Sequence, residues 1–271
     1  MTYPIKLVAL DLDGTLLDEE LRIGRRVECA IAATLARGVH VTIATGRAFA
    51  SARPFAQRLG ITTPLITYQG GVITDPRDAT VLRAEGMTRD VALAAARRAL
   101  AEDVDISFYV GETIYTRQRR WPQEFYDRWF GLPMHVTPDL TTILDSHPAL
   151  KFIIIAEPPE ADVIEARWKT AFDGRLIVVR SHRLFVEGNP PGVSKGAALA
   201  WLAERLAVPR EGVLAMGDND NDRSMVEWAG VGVAMGDGAP SLQAVADWVA
   251  PPLHADGVAA ALDRFVLGGK E

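Results

Sequence analysis

The stretch LVALDLDGT at residues 7–15 contains four apolar residues followed by two closely spaced carboxylates. An unbroken apolar run predicts a strand buried on both faces, as in the middle of a parallel sheet. Asp11 and Asp13 are two positions apart, so they point into the same space if the strand extends that far. Ligands bind at the carboxyl ends of such strands, and neighbouring carboxylates repel, so the pattern predicts a bound divalent cation. The alternative is a strand that ends in a polar Asp-Gly turn.

Composition restricts the class of protein. A length of 271 residues favours two compact units, and a formal net charge of −6 gives no indication of a nucleic-acid partner. No apolar run approaches about 18 residues, so we expect no membrane partner, and the absence of a signal-peptide pattern favours a cytoplasmic protein. Cys29 is the single cysteine, which excludes an internal disulfide, and its apolar helical surroundings predict a buried thiol.

The segment after the first strand repeats the same design. The spacing predicts a helix over residues 25–37 and a second strand over residues 39–44, which ends in Thr45-Gly46-Arg47. The Thr45 hydroxyl can donate a hydrogen bond to a phosphoryl oxygen, and Gly46 lets the backbone approach a ligand closely. A simple turn is the alternative interpretation.

The pattern changes in the middle of the chain. A third strand over residues 64–68 leads into Gln69-Gly70-Gly71, after which residues 83–185 alternate between helices and hairpin strands. Such a texture predicts an α+β unit rather than further βαβ repeats, and we interpret it as a domain inserted into the first one.

The original pattern resumes at residue 186 and supplies two further polar segments. Ser194 is a predicted helix N-cap, and Lys195 falls in the first helical turn, where the helix dipole disfavours a cation. Lys195 therefore indicates a negative charge nearby, with a surface lysine as the alternative. The strand over residues 213–216 leads into GDNDND at residues 217–222, a sequence that predicts either a hard-cation site or a solvated acidic loop.

Together these segments resemble the four motifs of the haloacid dehalogenase superfamily of phosphatases, in its Cof-type branch. The order of the motifs matches, and the long gap between Thr45 and Lys195 has room for a cap domain. The resemblance implies an α/β fold, with a Rossmann-like, doubly wound, mainly parallel sheet core over residues 1–82 and 186–271. It implies an inserted α+β cap domain over residues 83–185 that sets substrate specificity.

The resemblance also implies the roles of individual residues. Asp11 would be the nucleophile that forms an aspartyl-phosphate, Asp13 the general acid and base, and Thr45 and Lys195 the groups that hold phosphoryl oxygens. The cofactor would be Mg²⁺, and Asp222 would act on its waters or on Lys195. The implied metal-binding residues are Asp11, Asp13 through its backbone carbonyl, Asp218 and Asp222. The implied substrate-binding residues are Gly46, Arg47, Gly70 and Asn221.

Three positions stand apart from the family pattern. Gln69 replaces the usual Asn before Gly70, and Asp237 replaces the Asn that usually follows Met-Gly. Neither position carries the chemical step, so both bear on substrate contacts. Asp220 is a spare carboxylate that we expect on the surface.

The inserted domain is expected to decide which substrate is cleaved. Arg117, Arg119, Arg120 and Trp121 can grip an anionic or ring-bearing leaving group, with a solvated basic turn as the alternative. The expected partner is a small phosphorylated metabolite: a sugar phosphate, or a flavin-type or pyridoxal-type phosphate. The sequence carries no signal for an oligomeric state.

Three other functions remain as alternatives. A receiver-type signalling domain also combines a strand-end Asp, a Thr, a Lys and Mg²⁺, and would store the phosphoryl group. A binding protein for phosphorylated metabolites would share the pocket without turnover. A phosphomutase would share the nucleophile, but its cap usually lies between the first two motifs.

Overall fold

This computed structural model describes residues 3–268 of the chain, which contain both strands and helices. The strands are β1 Leu7–Leu10, β2 His40–Ile43, β3 Leu65–Thr67, β4 Val72–Thr74, β5 Val81–Ala84, β6 Ile106–Val110, β7 Thr113–Thr116, β8 Met134–Val136, β9 Lys151–Ile155, β10 Ile177–His182, β11 Phe185–Asn189, β12 Val213–Gly217, β13 Val231–Ala234 and β14 Trp248–Val249. The helices are α1 Arg25–Ala36, α2 Phe49–Arg58, α3 Arg89–Glu102, α4 Gln123–Trp129, α5 Leu140–Ser146, α6 Glu160–Ala171, α7 Lys195–Arg205, α8 Arg223–Trp228, α9 Pro240–Gln243 and α10 Gly257–Leu262. Other helical turns lie at Tyr68–Gly70, Arg210–Gly212, Asp220–Asp222, Leu253–Ala255 and Asp263–Leu267.

A parallel sheet forms the core, with strand order β14-β13-β12-β1-β2. Every residue of β1 is buried, because its two faces belong to two different apolar clusters. Val8 and Leu10 lie in the cluster that contains the buried residues of α1 and α10. Leu7 and Ala9 lie in the cluster that contains those of α7 and α8. The prediction of a doubly wound sheet is confirmed.

A second sheet, here called the cap sheet, has strand order β10-β11-β9-β6-β7-β8 and is antiparallel except between β7 and β8. One of its faces is covered by helices α3, α5 and α6, whose buried residues share a cluster with Phe108 and Phe152. The other face contributes Tyr109 and Phe185 to a cluster that also contains Tyr68 of the core segment. This second face therefore faces the core, and the predicted α+β insertion is confirmed as a fold.

Strand β11 corrects one boundary. We expected the core pattern to resume at residue 186, but β11 pairs antiparallel with β9 and β10 inside the cap sheet. The apolar residues Phe185 and Val186 pack on opposite faces of that sheet, which explains why the segment stays there. We propose that the inserted domain extends to Asn189 rather than to residue 185.

One condition was not met and one local expectation was wrong. β1 ends at Leu10 and does not extend to the two carboxylates, so Asp11 and Asp13 lie in the turn that follows the strand. Cys29 is exposed, because the buried face of α1 is formed by Val27, Ala30, Ile31 and Thr34. Among residues 3–268, no helix combines the length and the apolar character needed to cross a membrane.

Candidate active site

Neighbouring strands bring the predicted motifs to one edge of the parallel sheet. Because β1 lies between β2 and β12, its carboxyl end places Asp11 beside Thr45 and beside residues 217–222, the acidic loop. The N–H of Asp11 donates to the carbonyl of Met216 in β12, at 3.0 Å. Asp11 is only 4% exposed, so its carboxylate must be neutralised by nearby groups or stay protonated.

Lys195 is the first of these groups. It begins α7, behind Ser194, whose hydroxyl caps the helix by accepting from the N–H of Ala197 at 3.1 Å. Its Nζ lies 2.6 Å from Oδ1 of Asp11 and 2.6 Å from Oδ1 of Asp222. Burial lowers the pKa of Lys195, but the two carboxylates outweigh burial and raise that pKa above its ordinary value. Lys195 is therefore a buried ammonium ion shared by two acids.

The acids outnumber this ammonium ion. Carboxylate oxygens of Asp11, Asp218 and Asp222 lie within 4.8 Å of one another. Burial, and next the charge of Asp222, raises the pKa of Asp11 to about 7 and that of Asp218 to about 9. When all three acids are ionised, their negative charge exceeds the single positive charge of Lys195. Crowded carboxylate oxygens are the donor set of a hard divalent cation, so these residues fit such an ion.

Glycine makes this crowding possible. Gly14 has a φ of +84°, and a Cβ at this position would lie 2.4 Å from Oδ2 of Asp218. A Cβ on Gly217 would lie 2.3 Å from the Cβ of Asp222. Any larger residue at either position would displace one of the acids.

Asp222 shapes the acidic loop. Its Oδ2 accepts from the N–H of Asp218 at 3.0 Å and from the N–H of Asn219 at 3.1 Å, while its Oδ1 faces Lys195. Both oxygens therefore have partners in the protein. Of the two roles expected for Asp222, this geometry favours the one on Lys195.

Asp13 lies apart from the acid cluster and is held by Arg47. The Nε of Arg47 donates to one carboxylate oxygen at 2.8 Å and a terminal nitrogen donates to the other at 2.5 Å. The backbone N–H of Arg47 donates to the Thr45 hydroxyl oxygen at 3.1 Å. Asp11, Asp13, Thr45 and Arg47 all line the same cavity, although β1 does not extend to Asp13.

The remaining predicted core residues divide into two groups. Gly46 and Asn221 line the cavity, and the Nδ2 of Asn221 donates to Oε1 of Gln69 at 3.2 Å. Gly70 does not line the cavity: a Cβ there would lie 2.2 Å from the carbonyl oxygen of Ser194. Gly70 thus permits close packing against the start of α7, rather than forming a substrate surface.

The spare carboxylates also differ in position. Asp220 is exposed, as expected, and accepts a hydrogen bond from the hydroxyl of Ser241. Asp237 accepts from the N–H of Leu253 at 3.2 Å and lines the cavity.

The cavity has a volume of about 1080 Å³ and lies between the acid cluster and the cap sheet. Its cap side is rich in aromatic rings. The ring centroids of Trp129 and His182, for example, are 4.5 Å apart. Arg128 and Arg183 add positive charge to the lining. The aromatic residues that line it on the cap side are Tyr109, Trp121, Phe125, Trp129, Phe130, His182 and Phe185.

Arg119 is not brought to this cavity. Its guanidinium donates to the Gln123 side chain at 2.7 Å and to the Met134 carbonyl at 2.8 Å, on the exposed side of the cap. The Arg119 donors that we assigned to a substrate therefore bond to acceptors within the inserted domain. Of the predicted segment Arg117, Arg119, Arg120 and Trp121, only Trp121 lines the cavity.

Sequence reasoning missed a buried ion pair in the cavity lining. Lys151 and Glu187 are 1% and 3% exposed, and Lys151 Nζ lies 2.9 Å from Oε2 of Glu187. Lys151 begins β9, whose other residues are all apolar, and Glu187 follows Phe185 and Val186 in β11. A charged side chain that is buried in a strand needs a partner of opposite charge. The opposite charges of Lys151 and Glu187 could therefore have predicted this ion pair from the sequence.

The comparisons with known proteins agree with this arrangement. A family model for haloacid dehalogenase-like hydrolases matches residues 8–262. The chain is 32% identical over 265 residues to the 5-amino-6-(5-phospho-D-ribitylamino)uracil phosphatase YcsE of Bacillus subtilis, covering 97% of this chain and 96% of that one. It is 30% identical over 281 residues to the phosphatase YwpJ of the same organism, covering 94% of this chain and 98% of that one.

Solved structures give the same result. A haloacid dehalogenase-like hydrolase from B. subtilis superposes with a TM-score of 0.87 at 27% identity, and the match covers 97% of this chain and 100% of that one. One from Bacteroides thetaiotaomicron superposes with a TM-score of 0.83 at 28% identity, covering 96% and 99%. With the family model matching nearly the whole chain and phosphatases among its relatives, this chain belongs to the haloacid dehalogenase-like hydrolase family and is a phosphatase.

Proposed function

We propose that this phosphatase hydrolyses small phosphomonoesters through an aspartyl-phosphate formed on Asp11. One observation carries the proposal: the buried carboxylate of Asp11 lies 2.6 Å from the Lys195 ammonium group and within 4.8 Å of that of Asp218, and both acids line the cavity. A carboxylate oxygen attacks phosphorus in line, and the bond to the leaving-group oxygen breaks. Splitting hydrolysis into two displacements replaces one difficult step with two easier ones.

Asp13 supplies and then removes the proton. In the first step its carboxylic acid gives a proton to the departing alkoxide. In the second it takes a proton from the water that attacks the phosphorus of the aspartyl-phosphate, which releases inorganic phosphate and regenerates Asp11. The two hydrogen bonds from Arg47 support this assignment, because they fix the orientation of the Asp13 carboxyl group.

Lys195, Thr45 and a bound cation are the three groups that we expect to stabilise the negative charge on the phosphoryl oxygens. Phosphoryl transfer depends mainly on positioning and on neutralising the phosphoryl oxygens. We infer that Lys195 and Thr45 contact those oxygens, and that Asp11, Asp218 and the backbone carbonyl of Asp13 hold Mg²⁺. When bound, the cation supplies positive charge to the phosphoryl group and to the crowded carboxylates.

The substrate we propose is a ring-bearing phosphate of the flavin type. The relative YcsE is named for a phosphate ester on a ribityl chain that carries a uracil ring. Trp121 and Phe125 stack with their ring centroids 4.8 Å apart, and both line the cavity. This aromatic lining supports a substrate whose leaving group carries a flat ring. Sugar phosphates and pyridoxal-type phosphates are the alternatives within the same class.

The test is phosphate release from a panel of such phosphates, with Mg²⁺ or with EDTA. We expect Mg²⁺-dependent release from the wild type and none from Asp11→Asn. Asp220→Asn is the matched control, because it makes the same change on an exposed residue of the acidic loop and should retain full activity. Release that survives in Asp11→Asn would contradict the nucleophile, and a phosphorylated Asp11 that persists for minutes would indicate the signalling alternative.

A further inference from the structure

Gln69 joins the acidic loop to the cap sheet through the two ends of its side-chain amide. Its Oε1 accepts from Nδ2 of Asn221 at 3.2 Å, and its Nε2 donates to Oε2 of Glu187 at 3.4 Å. Among residues 3–268, Oδ1 of Asn221 has no hydrogen-bond partner, so the contact with Gln69 is what holds this amide. One buried side chain therefore connects the loop after β12 with strand β11.

The cap end of this connection is itself fixed. Glu187 Oε2 lies 2.9 Å from Lys151 Nζ, which also donates to the carbonyl of Gly46 at 2.8 Å, and the hydroxyl of Ser181 donates to Oε1. A buried ion pair contributes little net stability compared with apolar residues of the same size. Its position is better explained by what it holds in place, which is Gly46 on one side and Gln69 on the other.

The core end of the connection is held in a strained turn. Tyr68 and Gln69 have φ values of +52° and +58°, a left-handed conformation that is costly for residues other than glycine. Their backbone N–H groups donate to the carbonyls of Arg47 and Thr45, each at 3.0 Å. A Cβ on Gly46 would lie 2.5 Å from Gln69 Nε2, so the side chain also packs tightly against the loop after β2.

We propose that Gln69 is a positioning residue that ties the geometry of the acidic loop to the placement of the cap sheet. The amide fixes Asn221, and with it the loop that carries Asp218, only when Glu187 lies against it. Turnover then depends on the cap through the protein itself, in addition to any contact that the cap makes with the substrate. This inference rests on the proposed phosphatase mechanism and deepens it.

Removing the amide tests the first part. Gln69→Leu keeps a similar size but forms neither hydrogen bond, and we expect kcat to fall about tenfold with KM changed less than about twofold. The loss should be the same for a small aryl phosphate and for a ring-bearing ribityl phosphate. A rise in KM for the larger substrate alone would overturn the proposal, because Gln69 would then contact the leaving group.

Exchanging the two side chains tests the connection. Gln69→Glu and Glu187→Gln should each lower kcat, since the first places two carboxylates together and the second removes the charge that pairs with Lys151. Lys151 Nζ and Gln69 Nε2 both donate to Oε2 of Glu187, so a carboxylate at position 69 lies next to the site of the lost charge. The double exchange keeps one amide and one carboxylate beside Lys151, and we expect it to recover most of kcat. A double variant no better than the weaker single variant would overturn the proposal.

Tyr68→Phe is the matched control. It removes another link between the core and the cap, from the Tyr68 hydroxyl to the Gly111 carbonyl at 3.2 Å and to Glu112 at 3.0 Å, and it leaves the Gln69 amide intact. We expect kcat within about twofold of the wild type. A loss equal to that of Gln69→Leu would assign the effect to cap adhesion in general and overturn the role of the amide.

A readout that needs no turnover separates this inference from the proposed function. We expect faster amide hydrogen exchange over residues 218–222 in Gln69→Leu and Glu187→Gln than in the wild type or Tyr68→Phe. Unchanged exchange in all variants would overturn the positioning role. A wild type that releases no phosphate while the exchange pattern holds would overturn the phosphatase mechanism and leave the connection standing.

Discussion

Arg47 donates a hydrogen bond to each carboxylate oxygen of Asp13. The distance is 2.8 Å from Nε to Oδ2 and 2.5 Å from Nη2 to Oδ1. The side chain of Arg47 is 11% exposed and that of Asp13 is 42% exposed, so the arginine lies beneath the acid and presents it to the cavity. Only a planar guanidinium forms such a two-point contact. The orientation of the proposed general acid is therefore set by a residue of a different motif.

Replacing this arginine should slow substrates selectively. Lysine at position 47 keeps the charge but forms one hydrogen bond, so Arg47→Lys leaves Asp13 free to rotate. We expect kcat to fall about tenfold or more for alkyl phosphates, whose poor leaving group needs protonation. The loss should be smaller for p-nitrophenyl phosphate, which leaves without a proton. Equal losses for both substrates would contradict the role of Arg47 in orienting the acid.

Alanine at position 14 should weaken metal binding. Its Cβ would lie 2.4 Å from Oδ2 of Asp218, so the carboxylate must move. We expect Gly14→Ala to raise the Mg²⁺ concentration at half-maximal activity about tenfold. Gly38→Ala is the control, because Gly38 has a similar φ of +74° with no atom within 4 Å of the added Cβ. An equal shift in both variants would assign the effect to backbone strain.

The stability of the metal-free protein should fall as the pH rises. Burial, with Asp222 as the second cause, raises the pKa of Asp11 from 3.8 to about 7 and that of Asp218 to about 9. Both acids bind protons more tightly in the folded chain, so the stability they contribute is complete below their ordinary pKa and is lost as the pH rises to about 9. In EDTA we expect Tm to fall between about pH 4 and about pH 9, more steeply below about pH 7, where both acids contribute.

Mg²⁺ should oppose this fall, because the cation replaces the lost protons at the same oxygens. Asp218→Asn should make the fall of Tm with pH in EDTA less steep, since Asp218 has a higher pKa than Asp11 and the substitution removes it. The same dependence of Tm on pH with Mg²⁺ and with EDTA would show that the acid cluster does not bind the ion.

The aromatic lining should control affinity for the leaving group. Trp129 lines the cavity, so Trp129→Ala should raise KM for a ring-bearing ribityl phosphate about five- to tenfold. KM for glycerol phosphate should stay the same, because that substrate has no ring. Arg119→Ala is the control, since its guanidinium is bonded to Gln123 and Met134, and it should leave both KM values unchanged. An increase in KM on Arg119→Ala would return that residue to the site.

Local sequence signals were sufficient for the parallel core. The apolar run of β1 and the N-cap at Ser194 depend on neighbours in the chain, so periodicity and helix capping revealed them. The same signals failed at β11, because an apolar strand carries no mark of which sheet it joins. They also failed at Arg119, since an exposed arginine and a substrate-binding arginine have the same pattern in the sequence.

The contacts between the motifs could not be predicted in the same way. The grip of Arg47 on Asp13 and the link from Gln69 to Glu187 join residues that are distant in the chain. Each depends on how the turns after β1 and β3 are oriented, and that orientation follows from tertiary packing.

The link from Gln69 to Glu187 also limits how this enzyme can be re-engineered. A chimaera that exchanges the region between two core segments assumes that the exchanged module is independent of its scaffold. Here a foreign module without a carboxylate at position 187 would leave the Gln69 amide without its partner, inside a turn that is already strained. Residue 69 therefore belongs, for the purposes of design, to the module that it faces rather than to the scaffold that carries it.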